Sequence, residues 1–490
     1  MNRSKRITLL LCVLVIVCAA TFAMTRYEDH KENIQTSGQV ILEIPTGDVK
    51  SLSWSYEEES LSFHRDEEGV WRWDEDDAFP VDEDQINDLL SWFSSLSAAF
   101  VIEDVEDYSQ YGLDEPECTI SLATEEDSYT VTLGDFSQMD SQRYLSLDDG
   151  SAYLVAEDPM EDFQRTIRDM IRNDVSPELN DVIDMTFAGK ESYSLRYEEE
   201  SSKSYSSNDV YFTGRKPLDT KRVESYLGSL EDLKLTDYAA YNATEEELSS
   251  FGMADPELTV TINYRQQEGD DSAADQVFIL HVSRDPEAVQ EAEAAAETET
   301  GETESEKEEP DISCYLRFGD SPIVYNISQS LYDTLTKVSY NDLRHQELFW
   351  GDFADITAID VTLDGSSYTL TTVKEETEEE EQEDTGKAKD SGEILWYYNG
   401  EEIETDDLRS ALLNLATEDF TDDKPTGKEE ISLTIHLNNE NFPTVKLQLY
   451  RHDGSNCLAV VDGIPTALVK RVYMVDLMEA VNAIVLDAAE

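Results

Sequence analysis

Positive charge is what this chain lacks most. Against 109 Asp and Glu, its 490 residues carry 36 Lys and Arg, a formal net charge of -73. Such a surface repels phosphate backbones and anionic headgroups, which excludes nucleic acid as a partner and adhesion of the folded part to acidic lipid. Cysteine is scarce too. Of five, Cys12 and Cys18 sit in one apolar run, and Cys118, Cys314 and Cys457 are too scattered for a disulfide framework; they read as buried small hydrophobes. The six histidines, at 30, 64, 281, 345, 436 and 452, stand singly with no pair at helical metal-ligand spacing, which disfavours zinc hydrolysis. The sequence has no Gly-x-Ser-x-Gly elbow, no phosphate-binding Gly-Lys-Ser/Thr loop, no dinucleotide fingerprint and no Asp-x-Asp-x-Asp-Gly calcium loop. Carboxylates are so abundant that no acid-base pair of the glycosidase kind stands out. No catalytic, cofactor-binding or metal-ligating residue is therefore assigned, no cofactor is called for, and the chain reads as a non-enzyme.

One long apolar run breaks the pattern. Residues 7–24 are uncharged and rich in Leu, Val, Ile, Ala and Cys, behind Arg3, Lys5 and Arg6. The run predicts a single transmembrane anchor, with residues 1–6 in the cytoplasm, a linker over 25–47 and the remainder exported. Cleavage as a signal peptide is the alternative, but Phe22 and Met24 make a poor recognition site around the small Thr21 and Ala23. Lipid modification is disfavoured because Cys12 follows Leu11 and Cys18 follows Val17.

What the sequence does contain is a repeat. Tyr111-Gly112-Leu113-Asp114-Glu115-Pro116-Glu117 returns as Phe251-Gly252-Met253-Ala254-Asp255-Pro256-Glu257, each closing a polar helix-like stretch and opening an apolar strand. A unit over 48–176 is expected to hold strands at 49–56, 60–65 and 70–73, and a helix capped by Asp82 with Ile86, Leu89, Leu90, Phe93 and Leu96 inward. Strands at 118–123, 129–133, 144–147 and 152–155 come next, and a closing helix at 157–172. A second unit over 177–350 repeats the order, with Val223, Tyr226, Leu227, Leu230 and Leu233 at the same spacings. A third, diverged unit over 351–490 keeps the helix pattern in Leu408, Ala411, Leu412 and Leu415 but loses the glycine turn. Acidic insertions at 284–312 and 374–391 read as surface loops. The fold class is α+β: three tandem antiparallel sheets covered by helices after one N-terminal transmembrane helix.

The first unit resembles the bacterial domain of unknown function 4340 family. The resemblance rests on Gly69-Val70-Trp71-Arg72-Trp73, Pro80-Val81-Asp82 before a helix, the Gly112 turn with Pro116, and Tyr144 followed by Ala152-Tyr153-Leu154-Val155. The second unit keeps Pro217-Leu218-Asp219 and the Gly252 turn but has Val210-Tyr211-Phe212 for the tryptophan pair. The resemblance implies an envelope protein held by one N-terminal helix, in a family linked with ABC-type export or gliding-motility components, and it carries no catalytic residues.

Three groups invite a functional reading. The turn acids Asp114, Glu115, Glu117, Asp255 and Glu257 suggest a cation site, although glycine at a helix end and proline before a strand explain the motif structurally. Asp74-Glu75-Asp76-Asp77 suggests a cation or partner contact, but the second unit has Thr213-Gly214-Arg215-Lys216 there. Trp71, Trp73, Trp92 and Trp350 suggest an aromatic patch; Trp71 and Trp73 share one strand face and read as core, whereas Trp92 lies off its helix's apolar face and reads as a contact between units. The expectation is a noncatalytic, membrane-anchored extracytoplasmic scaffold or binding subunit of an envelope assembly, with envelope or transporter proteins as partners. The alternative is an extracytoplasmic hydrolase or a cation-dependent carbohydrate-binding protein.

Overall fold

Apolar and polar residues alternate along much of the described chain, and strands result wherever turns bound the alternation. The computed structural model describes residues 38–155, 157–268, 272–298, 312–374 and 394–487. The anchor expected at 7–24 lies outside them, as does nearly all of the second acidic insertion. Among the described residues no helix is long and apolar enough to cross a membrane.

The strands form three nine-stranded antiparallel sheets. The first sheet is built from β1 (Gln39–Leu42), β2 (Ser51–Tyr56), β3 (Glu59–Arg65), β4 (Trp71–Trp73), β5 (Leu96–Ile102), β6 (Cys118–Ala123), β7 (Ser128–Ser137), β8 (Gln142–Ser146) and β9 (Ala152–Val155). Helix α1 (Glu83–Ser94) links β4 to β5, and the short α2 (Met160–Phe163) comes after β9. The second sheet takes β10 (Asp181–Gly189), β11 (Tyr193–Tyr197), β12 (Tyr211–Thr213), β13 (Lys216–Pro217), β14 (Tyr238–Ala240), β15 (Leu258–Glu268), β16 (Ser272–Arg284), β17 (Cys314–Phe318) and β18 (Val324–Ile327). With it run α3 (Thr220–Glu231), α4 (Glu245–Ser250), α5 (Pro286–Thr298), α6 (Gln329–Thr336) and α7 (Tyr340–Leu343). The third sheet takes β19 (Ile356–Leu363), β20 (Ser366–Lys374), β21 (Ile394–Tyr398), β22 (Glu401–Ile403), β23 (Asp419–Phe420), β24 (Glu429–Leu437), β25 (Thr444–Arg451), β26 (Asn456–Val461) and β27 (Ile464–Lys470), with α8 (Asp406–Leu413) and α9 (Arg471–Asp487).

Strand order makes the repetition explicit. The second sheet reads β13-β12-β11-β10-β15-β16-β17-β18-β14 and the third β22-β21-β20-β19-β24-β25-β26-β27-β23, the same arrangement position for position. The first reads β4-β3-β2-β6-β7-β8-β9-β5-β1, matching the other two from their second strand and adding β1 at the far edge. The single bridge between Trp73 and Asp76 stands where β13 and β22 pair in the others.

By packing, the chain divides into two units. One takes the residues through 175 together with 234–247 and 320–326; the other takes 176–233, 248–319 and 327 onward. Strand β14 and most of β18 thus pack in the first unit. In the second unit, Ile359, Val361 and Leu363 of β19 meet Leu408 and Leu412 of α8 and Met474 and Leu477 of α9, and Tyr205 and Phe349 join this core.

The helix faces match their spacing. Asp82 and Asp219 accept from the N–H two residues on and cap α1 and α3, with Ile86, Leu89, Leu90 and Phe93, and Val223, Tyr226, Leu227 and Leu230, buried. Gly112 and Gly252 are both left-handed, at φ 66° and 72°. Glycine is required there twice over, because a Cβ would also run into the Asp135 carboxylate or the Ser283 hydroxyl.

Several expectations need correction. Leu96 is buried on β5, not on the helix, since α1 stops at Ser94. The closing helix at 157–172 is two short pieces, because Asp169 accepts from the Thr166 N–H and starts a fresh 3-10 turn, Ile167–Met170. The first acidic insertion is helical over Pro286–Thr298: Asp285 caps it, proline occupies its first position, and alanine and glutamate favour the conformation. The linker at 25–47 contains β1. Trp92 donates to Asp162 at 2.8 Å, tying α1 to α2 within the first copy, so it is no contact between copies. Among the described residues Cys118, Cys314 and Cys457 are buried as expected and form no disulfide, and burial pushes the Cys118 thiol up to about 12.

Candidate functional site

The acids that close the glycine turns serve packing. Glu117 meets the buried Arg143 at 2.9 Å, and Arg143 also holds Asp158 at 2.7 Å. Glu257 takes a bidentate pair from Arg284, at 2.7 and 3.0 Å, and the Tyr332 hydroxyl at 2.6 Å. Burial pushes the Glu257 carboxyl up, but the Arg284 and Tyr332 hydrogen bonds outweigh it and hold it below the usual range. Asp114, Glu115 and Asp255 are exposed. One arginine and one glutamate thus brace the same joint in each of the first two copies, and the acids do not converge on a cation position.

The acidic run of the first copy is likewise occupied. Asp74 pairs with His64 at 2.5 Å and accepts from Ser62. Asp76 accepts from the Tyr241 hydroxyl at 2.7 Å, which is the main reason its carboxyl titrates below the usual value. Tyr241 lies just past β14, inside the same unit, and its ring meets Phe79 edge-on at 5.0 Å. Arg168 closes the junction, 2.7 Å from Asp237 and stacked on Tyr238. Trp71 is buried and Trp73 half-buried against Phe79, so this pair is core.

The corresponding place in the second unit is open. A cleft of about 670 Å³ lies among the β11–β12 loop, the β12–β13 turn, the linker after α7, the end of β23 and the β26–β27 turn. Four cations line it, Lys203, Arg215, Lys216 and Arg344. Lys203 pairs with Glu198 at 2.6 Å, but among the described residues no carboxylate comes within ion-pair distance of the other three. Two of them lean on rings instead. Lys216 lies 4.8 Å and Arg344 5.1 Å from the Tyr340 centroid, and Arg344 is 4.2 Å from that of Phe420. Burial lowers the Arg344 pKa, although a guanidinium stays charged across the biological range.

One wall of the cleft is a tight polar cluster. Asp209, almost fully buried, faces His345 Nε2 at 2.9 Å and accepts from Trp350 Nε1 at 3.0 Å and Ser204 Oγ at 2.5 Å. The Trp350 indole stacks on the imidazole at 4.4 Å and 9°. Of the four tryptophans proposed as an aromatic patch, Trp350 alone lines the cleft. Sequence reasoning passed over His345, Asp209 and Arg344. The alternation His345-Gln346-Glu347 was the available signal, since residues two apart on extended chain share a face.

Fold and cleft define a tandem α+β repeat protein with a cation-lined groove. The chain belongs to the family described as Domain of unknown function (DUF4340), whose sequence pattern matches residues 71–247 and again 209–434. The matches begin at β4 and just before β12, equivalent strands of the first two sheets, and each runs into the next sheet, so the family pattern spans the junction between copies. No curated protein and no solved structure matches the chain.

Proposed function

We propose that the protein is a noncatalytic binding subunit of an envelope assembly, accessory to an ABC-type transporter, anchored by residues 7–24 with everything after them outside the cytoplasm. Its cleft takes a phosphate- or carboxylate-bearing group of a ligand or partner. The observation that carries this reading is Arg344, with Lys216 and Arg215, facing a groove whose own acids, Glu347, Asp422 and Asp462, stand beyond ion-pair distance of all three, in a chain with three times as many acids as bases. In so acidic a protein, cations left unpaired at a concave surface are available to an anion from elsewhere.

The full-length protein in detergent, titrated with inorganic phosphate, acetate and polyglutamate, tests the chemistry through Trp350 fluorescence, with Trp350→Phe as the optical control. Saturable quenching that weakens about tenfold in Arg344→Ala and falls with added salt supports the reading; an unchanged response in that variant overturns it. Crosslinking in native membranes tests the assembly. A transporter component crosslinked through the cleft and lost with Lys216→Glu is expected, and crosslinks that ignore the cleft remove the accessory role.

A further inference from the structure

Beside the cations, two residues of the cleft wall, His345 and Glu347, meet Asp219, which lines the neighbouring hollow along α3. One ligand atom each from Asp219, His345 and Glu347 lies within 4.8 Å of the others, and all three residues are half-buried. We propose that these residues bind one transition-metal dication, with zinc the best match.

Each ligand is held by something other than the metal. Asp219 caps α3, accepting from the Lys221 N–H at 3.0 Å, which fixes its carboxylate at the helix end. Glu347 stands on an extended linker bridged to Ala416, with Leu348 N donating to Leu415 O and Thr417 N to Gln346 O. His345 is the most constrained. Its side chain is 11% exposed, Trp350 covers its face, and Nε2 is engaged by Asp209, whose side chain is 2% exposed. That engagement leaves Nδ1 for a ligand. A buried carboxylate on the far nitrogen is the usual support of a metal-binding imidazole, fixing its tautomer and raising its basicity.

Donor type narrows the ion. One imidazole nitrogen with two carboxylate oxygens suits zinc, and a hard cation such as calcium would want more oxygens. At zinc distances the ligand atoms would stand about 3.3 Å apart, so binding draws the side chains in by about 1.5 Å or less. Three protein ligands leave a position open, and His345 and Glu347 both line the cleft, so that position faces its space. Among the described residues the cluster occurs in the second copy alone. Asp82 N bonds to Met170 O as Asp219 N bonds to Leu343 O, which aligns Asp174 with Glu347 but puts Arg172 in the place of His345.

This inference stands apart from the anion reading, because the metal uses none of Arg215, Lys216 or Arg344. The test is zinc titration of chelator-treated full-length protein against a chromophoric chelator, in 150 mM salt with millimolar calcium and magnesium to block the acidic surface, repeated with cobalt for its visible spectrum. One site per chain is expected, with a cobalt spectrum showing a nitrogen ligand. His345→Ala and Glu347→Gln should each weaken zinc at least a hundredfold, and Asp209→Asn should weaken it ten- to a hundredfold as a positioning residue. Arg344→Ala should keep the zinc site intact while weakening anion binding about tenfold. Far-ultraviolet dichroism checks folding, and Glu347→Gln, the mildest change, serves if His345→Ala fails to fold. Zinc bound without stoichiometry, or with an affinity that Glu347→Gln leaves unchanged, overturns the proposal.

Discussion

The first and second copies each end in a junction built from equivalent elements, and the two junctions present opposite surfaces. Inside the first unit, Ile171 bridges to Val81 and is 2% exposed, and Phe79, Trp73 and Tyr241 fill the space beside it. Inside the second unit, the residue aligned with Ile171 is Arg344, the loop aligned with the acidic run carries Arg215 and Lys216, and a cleft replaces the packed rings. One topology therefore makes a sealed junction or an open groove, depending on whether the residue at this position is aliphatic or cationic. Burying an unpaired guanidinium costs too much for the second junction to close as the first does.

The largest effect should come from opening the sealed junction. Phe79→Ala removes a ring that is 1% exposed and should cost about 3–5 kcal/mol, read as a lower melting temperature and as fast amide exchange in β4 and β14. A loss below about 1 kcal/mol would mean that the first junction is not sealed by packing. Next in size is the repeated turn: Gly112→Ala and Gly252→Ala each meet positive φ and a blocked Cβ, and each should lose about 1–3 kcal/mol by urea denaturation. Tolerance in one copy only would show that the two joints are not equivalent.

Arg344→Ile makes the second junction resemble the first. Anion affinity should fall about tenfold, roughly 1.4 kcal/mol, with the melting temperature unchanged or slightly raised. A large drop in stability would show that Arg344 is structural. The smallest effect is a pH step in the first unit. Burial and then the hydrogen bond to Asp76 raise the Tyr241 hydroxyl to about 12. A raised pKa favours the protonated folded form, so this contribution is complete below pH 10 and lost between about 10 and 12. Tyr241→Phe should erase that alkaline step in a melting series while costing about 0.5–1.5 kcal/mol at neutral pH; an identical series in both proteins would detach Tyr241 from the junction.

Much of the architecture was legible because it is local. Glycine at 112 and 252, the cap Asp82, and the three-and-four spacing of Val223 to Leu230 each concern neighbours in sequence, and all appear as read. The overlooked hairpins carried signals as well: Asn399-Gly400 and Asp462-Gly463 have positive φ at both turn residues and close β21–β22 and β26–β27. The end of α1 was misplaced because Leu96 is apolar on either reading, and only pairing with Leu42 makes it strand. The candidate site was barely legible. Among so many carboxylates, nothing in the order of residues marks Asp209 as the one that is buried against His345.

By itself, then, the sequence determined the number of copies, the α+β class, the caps and turns, and the family, since helices, strands and tight turns answer to residues a few positions apart. The tertiary structure decided which charges neutralise one another. Glu117 and Glu257 go to arginines, while Arg344 is left facing a cleft and Asp219, His345 and Glu347 are gathered around one point, encounters between distant residues that only the packed sheets bring about.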